Sequence, residues 1–136
     1  MTSLTIPNSV KTIGDSAFHD NKLTSLTLGN SVTFIGENAF RGNNLTSLTI
    51  PGSLTRIGDR AFGGAGQIAS LTIPNTVTYI GEQALPGSET SVTIGANVDI
   101  LFNGNFTRAY INGGRRAGTY VMVNPNNPNF SDWTRR

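Results

Sequence analysis

Leu23-Thr24-Ser25-Leu26-Thr27-Leu28-Gly29-Asn30-Ser31-Val32-Thr33-Phe34-Ile35-Gly36-Glu37-Asn38-Ala39-Phe40 is a sentence that the chain writes, with small changes, about five times. Aligned on the second leucine, the copies fall at Leu4, Leu26, Leu48, Leu71 and Val92, steps of 22, 22, 23 and 21 residues by subtraction. Self-similarity at a fixed period in the twenties marks a solenoid, in which each coil buries its apolar edge only against its neighbours.

Within one copy, Leu26-Thr27-Leu28 alternates as a half-buried strand does, with the leucines inward and Ser25 and Thr27 outward. Gly29-Asn30, or Pro-Asn in other copies, closes the strand, and the asparagine is expected to bond its own neighbouring backbone. Val32 and Ile35 frame a second short extended piece, which Gly36 ends. The acid that follows is placed to cap a single helical turn over Glu37-Asn38-Ala39-Phe40. The columns Ile13, Ile35, Ile57, Ile80 and Phe18, Phe40, Phe62, Leu85 then read as stacked core. Strands of successive coils are expected about 4.8 Å apart in one parallel sheet.

Two copies depart from the plan. The loop Gly63-Gly64-Ala65-Gly66-Gln67 is one residue longer, and its Gly64-x-Gly66 lacks the rest of a phosphate-cradling pattern. The fourth turn, Gln83-Ala84-Leu85-Pro86-Gly87, loses its phenylalanine and gains a proline. These features divide the chain into repeats over 1–98, about five coils of 21–23 residues, and a capping segment over 99–136. The cap reads as a short helix through Phe106, Ala109 and Tyr110, then a hairpin from strands at Gly118–Val123 and Phe130–Thr134. At the other end Leu4, Ile6, Val10, Ile13 and Phe18 are expected to leave one side of the first coil bare, an open edge that invites self-association.

The chain has 136 residues, no cysteine and a net charge of +2. Disulfides, thiolate metal sites and cysteine nucleophiles are therefore excluded. Up to Thr90 five basic residues meet six acids; beyond it Arg108, Arg115, Arg116, Arg135 and Arg136 meet only Asp99 and Asp132, a mildly basic pole. No apolar run reaches membrane-spanning length, and no basic-then-apolar leader opens the chain.

Leu-Thr-Ser-Leu-Thr-Ile-Pro-Asn-Ser-Val-x-x-Ile-Gly-Asp-x-Ala-Phe resembles the repeat of the BspA-like leucine-rich proteins of spirochaetes and oral anaerobes. Residues 3–18, 23–40, 45–62 and 68–85 carry it, with a decayed copy at 91–98. Tyr110, Gly114–Tyr120 and Trp133 resemble the ending of treponemal members. The expected fold is a β-rich, right-handed leucine-rich-repeat solenoid with one parallel sheet, short helical turns opposite it, and a C-terminal helix-plus-hairpin cap. The resemblance implies a non-catalytic, adhesin-like binding protein, at the cell surface or secreted, whose partner is a host matrix or cell protein or another bacterium. It supplies no catalytic residue. The alternative is a structural unit that self-associates through its N-terminal coil; with no signal peptide, a cytoplasmic chain or a fragment also fits.

Sites of chemistry are scarce. The single histidine, His19 beside Asp20, has no nucleophile motif near it and reads as an exposed loop residue. Asp15, Glu37, Asp59 and Glu82 share one register and stack as a weak calcium candidate, but capping explains them without metal. No cofactor, nucleic-acid partner or membrane insertion is expected. The Ser and Thr columns of the strands form a hydroxyl ladder that cross-strand pairing explains without a ligand, ice included. Asn44-Leu45-Thr46, Asn105-Phe106-Thr107 and Asn129-Phe130-Ser131 match the glycosylation pattern, which arises easily in so Asn-rich a chain. The side chains that vary at a fixed register are Phe34, Arg56 and Tyr79; with Arg115 and Arg116 at the basic pole they are the candidate partner-binding residues.

Overall fold

The computed structural model describes residues 2–88, 91–96, 98–101, 110, 114–122 and 133–136. Its strands are β1 (Ser3–Thr5), β2 (Thr12–Ile13), β3 (Ser25–Thr27), β4 (Phe34–Ile35), β5 (Arg56–Ile57), β6 (Ser70–Thr72), β7 (Tyr79–Ile80), β8 (Ser91–Ile94), β9 (Asp99–Ile100), β10 (Gly118–Met122) and β11 (Trp133–Arg135). The repeated sentence folds as a β-solenoid of three sides, with neighbouring coils bonded along each side except at the front of the third coil.

The back side is continuous. The two-residue strands stack in parallel as β2-β4-β5-β7-β9, and their isoleucines Ile13, Ile35, Ile57, Ile80 and Ile100 are all buried. Beside them stands the phenylalanine spine. Phe18, Phe40 and Phe62 stack with centroids 5.4 Å apart at both steps and ring planes within 10° and 5° of parallel, and Leu85 continues the buried column.

The third side is not helical. In each coil the residue after the acid is left-handed: Ser16, Asn38, Arg60 and Gln83 have φ of 55°, 55°, 53° and 51°. Gly14 O accepts from Ala17 N, and Gly36 O and Gly58 O accept in the same way from Ala39 and Ala61. A positive φ at the third residue of such a four-residue turn makes it a β-turn rather than a helical one. The remaining N–H groups then point along the axis: Ser16, Phe18 and Asp20 donate to Glu37, Ala39 and Arg41 of the next coil at 2.8–2.9 Å. Coil-to-coil bonding has displaced the expected helical turn. The glycine before each acid allows it, because a Cβ on Gly36 would fall 2.7 Å from Asp15 N and 2.8 Å from Gly14 C. The acids reach across as well. Asp15 and Asp59 accept from the N–H of Glu37 and Glu82 in the following coil, at 2.8 and 2.9 Å, instead of capping their own turns. Likewise Asn8 Oδ1 accepts from Asn30 N at 2.8 Å, so this asparagine also serves its neighbour.

The front side corrects the expectation of one sheet. β1 pairs with β3, and β6 pairs with β8 in the same parallel register, but the third coil has no strand between them. Leu45 makes an isolated bridge to Gly66, and from Thr46 to Ile50 no backbone hydrogen bond reaches either neighbour among the described residues. The extra residue of the 63–67 loop is absorbed here, and Gly52 stands where the first coil carries Asn8, whose side chain bonds its neighbour. The front is thus two sheets separated by a seam.

The second of these sheets continues into the C-terminal segment in the order β6-β8-β10-β11, with β10 antiparallel to both β8 and β11. The expected hairpin is therefore present, and it lies on the edge of the last front strand. Tyr110 is helical and fully buried; the remainder of the expected helix, the 123–132 part of the hairpin and the glycosylation patterns at Asn105 and Asn129 lie outside the described residues. Tyr110 Oη donates to Gly95 O at 2.9 Å and accepts from Val98 N at 3.0 Å, fastening the C-terminal segment to the turn after β8. At the first coil Ile6 and Ile13 are buried and only Leu4, Val10 and Phe18 are half-buried, a smaller bare side than expected.

Candidate interaction surface

The back ladder fixes which side chains leave the solenoid together. Its register pairs Thr12 with Phe34, Phe34 with Arg56, Arg56 with Tyr79, and Tyr79 with Asp99. With Ile13, Ile35, Ile57 and Ile80 inward, these five residues point outward in one file. Phe34 and Tyr79 are half-buried and Arg56 is exposed. Arg56 lays its guanidinium 4.6 Å from the centroid of the Tyr79 ring, a cation–π contact. Three of the residues singled out from sequence therefore sit on successive rungs, about 4.8 Å apart.

The file beside it is chemically quiet. Thr33, Thr55 and Thr78 each turn their hydroxyl back to a carbonyl of the preceding coil, at 3.2, 2.9 and 3.3 Å, from Lys11, Thr33 and Thr55. These threonines brace the corner and leave the aromatic-cationic file as the distinctive feature of the back.

Arg115 and Arg116 are not part of it. They lie in the turn leading into β10, which extends the front sheet. Arg115 is left-handed, with φ 52°, half-buried, and its N–H donates to Tyr110 O at 3.0 Å; Arg116 is exposed. Arg115 therefore shapes the cap as well as charging it.

The front hydroxyl ladder exists in two pieces. Ser3 and Thr5 lie beside Ser25 and Thr27, and Ser70 and Thr72 beside Ser91 and Thr93, with the seam between. The Thr93 and Thr119 hydroxyls share a hydrogen bond at 2.8 Å. At one corner of the seam lies an open cleft of about 400 Å³ with an uncharged lining that includes Asn44, Thr46, Gly64 and Gln67. His19 and Asp20 pair with each other at 3.3 Å on the surface. Among the described residues no group of three or more His, Asp or Glu side chains converges as a metal site.

Sequence reasoning missed the residue that ties the loops down. Asn43, read as part of a loop, is 2% exposed. Its Oδ1 accepts from Leu23 N at 2.9 Å, and its Nδ2 donates to Phe18 O and Phe40 O at 2.9 and 2.8 Å. In the fourth coil Ser88 takes a similar place, accepting from Ile68 N at 2.8 Å and touching the carbonyls of Gly66 and Ile68. The signal available in sequence was an asparagine two before Leu23 and again two before Leu45, lost at Gly66 before Ile68, and too weak to separate from ordinary loop composition.

Stacked coils of 21–23 residues, a buried aliphatic file and a phenylalanine spine define a leucine-rich-repeat solenoid. Residues 1–112 match the BspA type leucine rich repeat region in six copies, and the chain belongs to that family. Among solved structures it is similar to a leucine-rich repeat protein from Bacteroides ovatus, 34% identical with a TM-score of 0.63 over 68% of this chain and 25% of that one. It is also similar to the T. pallidum leucine-rich repeat protein TpLRR, 25% identical with a TM-score of 0.61 over 76% of this chain and 56% of that one. The pneumococcal vaccine antigen PcpA is 25% identical, with a TM-score of 0.51 over 75% of this chain and 31% of that one. The chain thus spans between a quarter and just over half of the length of these solved proteins. No curated protein matches it. Leucine-rich-repeat proteins of this kind are typically protein-interaction modules, and no described helix is long and apolar enough to cross a membrane.

Proposed function

We propose that the chain is an adhesin-like binding module which attaches a bacterium to a protein of the host matrix, a host cell or another bacterium through the file Phe34-Arg56-Tyr79. The observation that carries this reading is the stacking of those three side chains on adjacent rungs, with Arg56 held against Tyr79. Tyrosine and arginine are the residues that dominate interface energetics, and the parallel ladder holds them on a rigid support. Display at the cell surface or secretion fits a fold shared with a vaccine antigen. Arg115 and Arg116, on the front-sheet extension, form a second, electrostatic contact that speeds approach.

The test is surface plasmon resonance of the purified chain against a panel of matrix proteins, alongside the double variant F34A/Y79A. Expected is saturable binding to at least one partner, weakened tenfold or more by the double variant while the melting curve stays cooperative. Absence of saturable binding to every partner refutes the attachment role. Binding untouched by F34A/Y79A refutes the assignment of the surface.

A further inference from the structure

The cation in the middle of the back file is held but not used. Arg56 is exposed, its guanidinium carbon lies over the Tyr79 ring, and among the described residues none of its side-chain N–H groups makes a hydrogen bond or ion pair. The nearest acid in the file, Asp99, is two rungs away, about 9.6 Å along the ladder. Contrast Arg60, one coil face over, whose Nε donates to Gln83 Oε1 at 3.3 Å.

Stacking on an aromatic ring uses the π face of a guanidinium and leaves its edge, with five planar donors, pointing away from the ring. An arginine so restrained loses less rotamer freedom when a carboxylate arrives and takes it bidentately. On the other side, Phe34 offers half a buried ring one rung back. The three residues therefore form a positive centre between two apolar shoulders, with the neighbouring threonine hydroxyls already committed to backbone carbonyls.

Resting on the reading of the file as the binding surface, we infer that it receives a peptide segment of the partner in which one Asp or Glu is flanked by apolar side chains. The carboxylate docks on the free edge of Arg56, and the flanking side chains lie on Phe34 and Tyr79. A basic or uncharged segment leaves the Arg56 donors to compete with water and gains only the aromatic contact.

A phage-displayed dodecapeptide library panned on the immobilised chain, with the retained peptides then measured on the parent and on its variants, tests this. The retained peptides are expected to share one acidic residue beside aromatic or aliphatic ones. A synthetic copy should lose affinity about ten- to hundredfold when its acid becomes the amide, as loss of a charge-assisted pair implies. R56Q should cause a similar loss, and R56K a smaller one that keeps the charge but not the planar fork. Unchanged melting of R56Q separates a lost contact from a lost fold. Peptides without an acid, sensitive to F34A/Y79A but not to R56Q, overturn the carboxylate assignment and leave the surface standing. Peptides indifferent to all three substitutions overturn both. Recovery of no peptide above background overturns the peptide-receptor role, and the matrix-protein panel then judges the surface alone.

Discussion

Replacing Asn43 by alanine is expected to cost about 3–5 kcal/mol. The side chain is 2% exposed and satisfies three backbone groups at once: the N–H of Leu23 and the carbonyls of Phe18 and Phe40. Leu23 is fully buried, so its N–H gains no water when the partner goes; an orphaned buried donor costs about 1–3 kcal/mol. Each carbonyl adds roughly 1 kcal/mol, since no other backbone donor serves either of them among the described residues. The sum is a large share of the about 5–15 kcal/mol that holds a typical domain. Urea denaturation followed by circular dichroism measures it: the midpoint should fall with the slope unchanged. Asn21 at the equivalent place in the first coil is the control. It is half-buried and donates only to His19 O at 3.2 Å, so N21A should shift stability by no more than about 0.5 kcal/mol. An N43A variant within 1 kcal/mol of the parent would refute the view that this side chain staples the first two coils together.

Gly66→Ala is expected to unfold the middle of the solenoid or force its loop open, because Gly66 has φ 141° and a Cβ there would overlap the backbone of Leu45; a melting temperature within a degree or two of the parent's would contradict it. At the seam, the amides of Ser47 and Ile50 should exchange with deuterium at least about tenfold faster than those of Ser25 and Ile73, which are bonded to Thr2 and Thr93. Equal protection would show that the front is one sheet in solution. Tyr110 carries a pH prediction. Burial raises its pKa above 10.0, against smaller lowering effects from the Val98 hydrogen bond and Arg115. The unfolded chain then releases this proton first, so stability should hold below about pH 10 and decline as the pH climbs from there toward the folded value. Y110F should lose that alkaline decline, at the cost of the hydroxyl's two hydrogen bonds at every pH.

The register of the solenoid was legible in sequence because its core positions tolerate so little variation. Ile13, Ile35, Ile57 and Ile80 recur at one step and are all buried, and the ring stack of Phe18, Phe40 and Phe62 follows from the same repeat. The file Phe34-Arg56-Tyr79 was visible for the opposite reason, as a register that changes from coil to coil on a constant frame. What the sequence hid was the direction of polar groups. Glu37-Asn38-Ala39-Phe40 suits a helical turn by local preference, yet Asn38 is left-handed because Asn38 N and Phe40 N are wanted by the next coil. Capping is a local rule, whereas Asp15 and Asp59 bond residues 22 and 23 positions away. The seam is hidden for a related reason: Thr46-Ser47-Leu48-Thr49-Ile50 is as good a strand as its fellows, and the departure comes from the longer loop downstream and from Gly52.

Those cross-coil acceptors all lean the same way along the axis: Asn8 serves Asn30, Asp15 serves Glu37, and Asp59 serves Glu82. The first and third coils therefore own the outgoing half-contact and the second and fourth the incoming one, like bricks laid in tongue-and-groove pairs. A block of 22 residues copied in tandem by the gene keeps the register of the stack, and a copied pair of coils brings a whole contact with it. Insertions of any other size must be taken up somewhere as slack, and the glycine-rich bend at 63–67, facing the unzipped third coil, shows where a single surplus residue went.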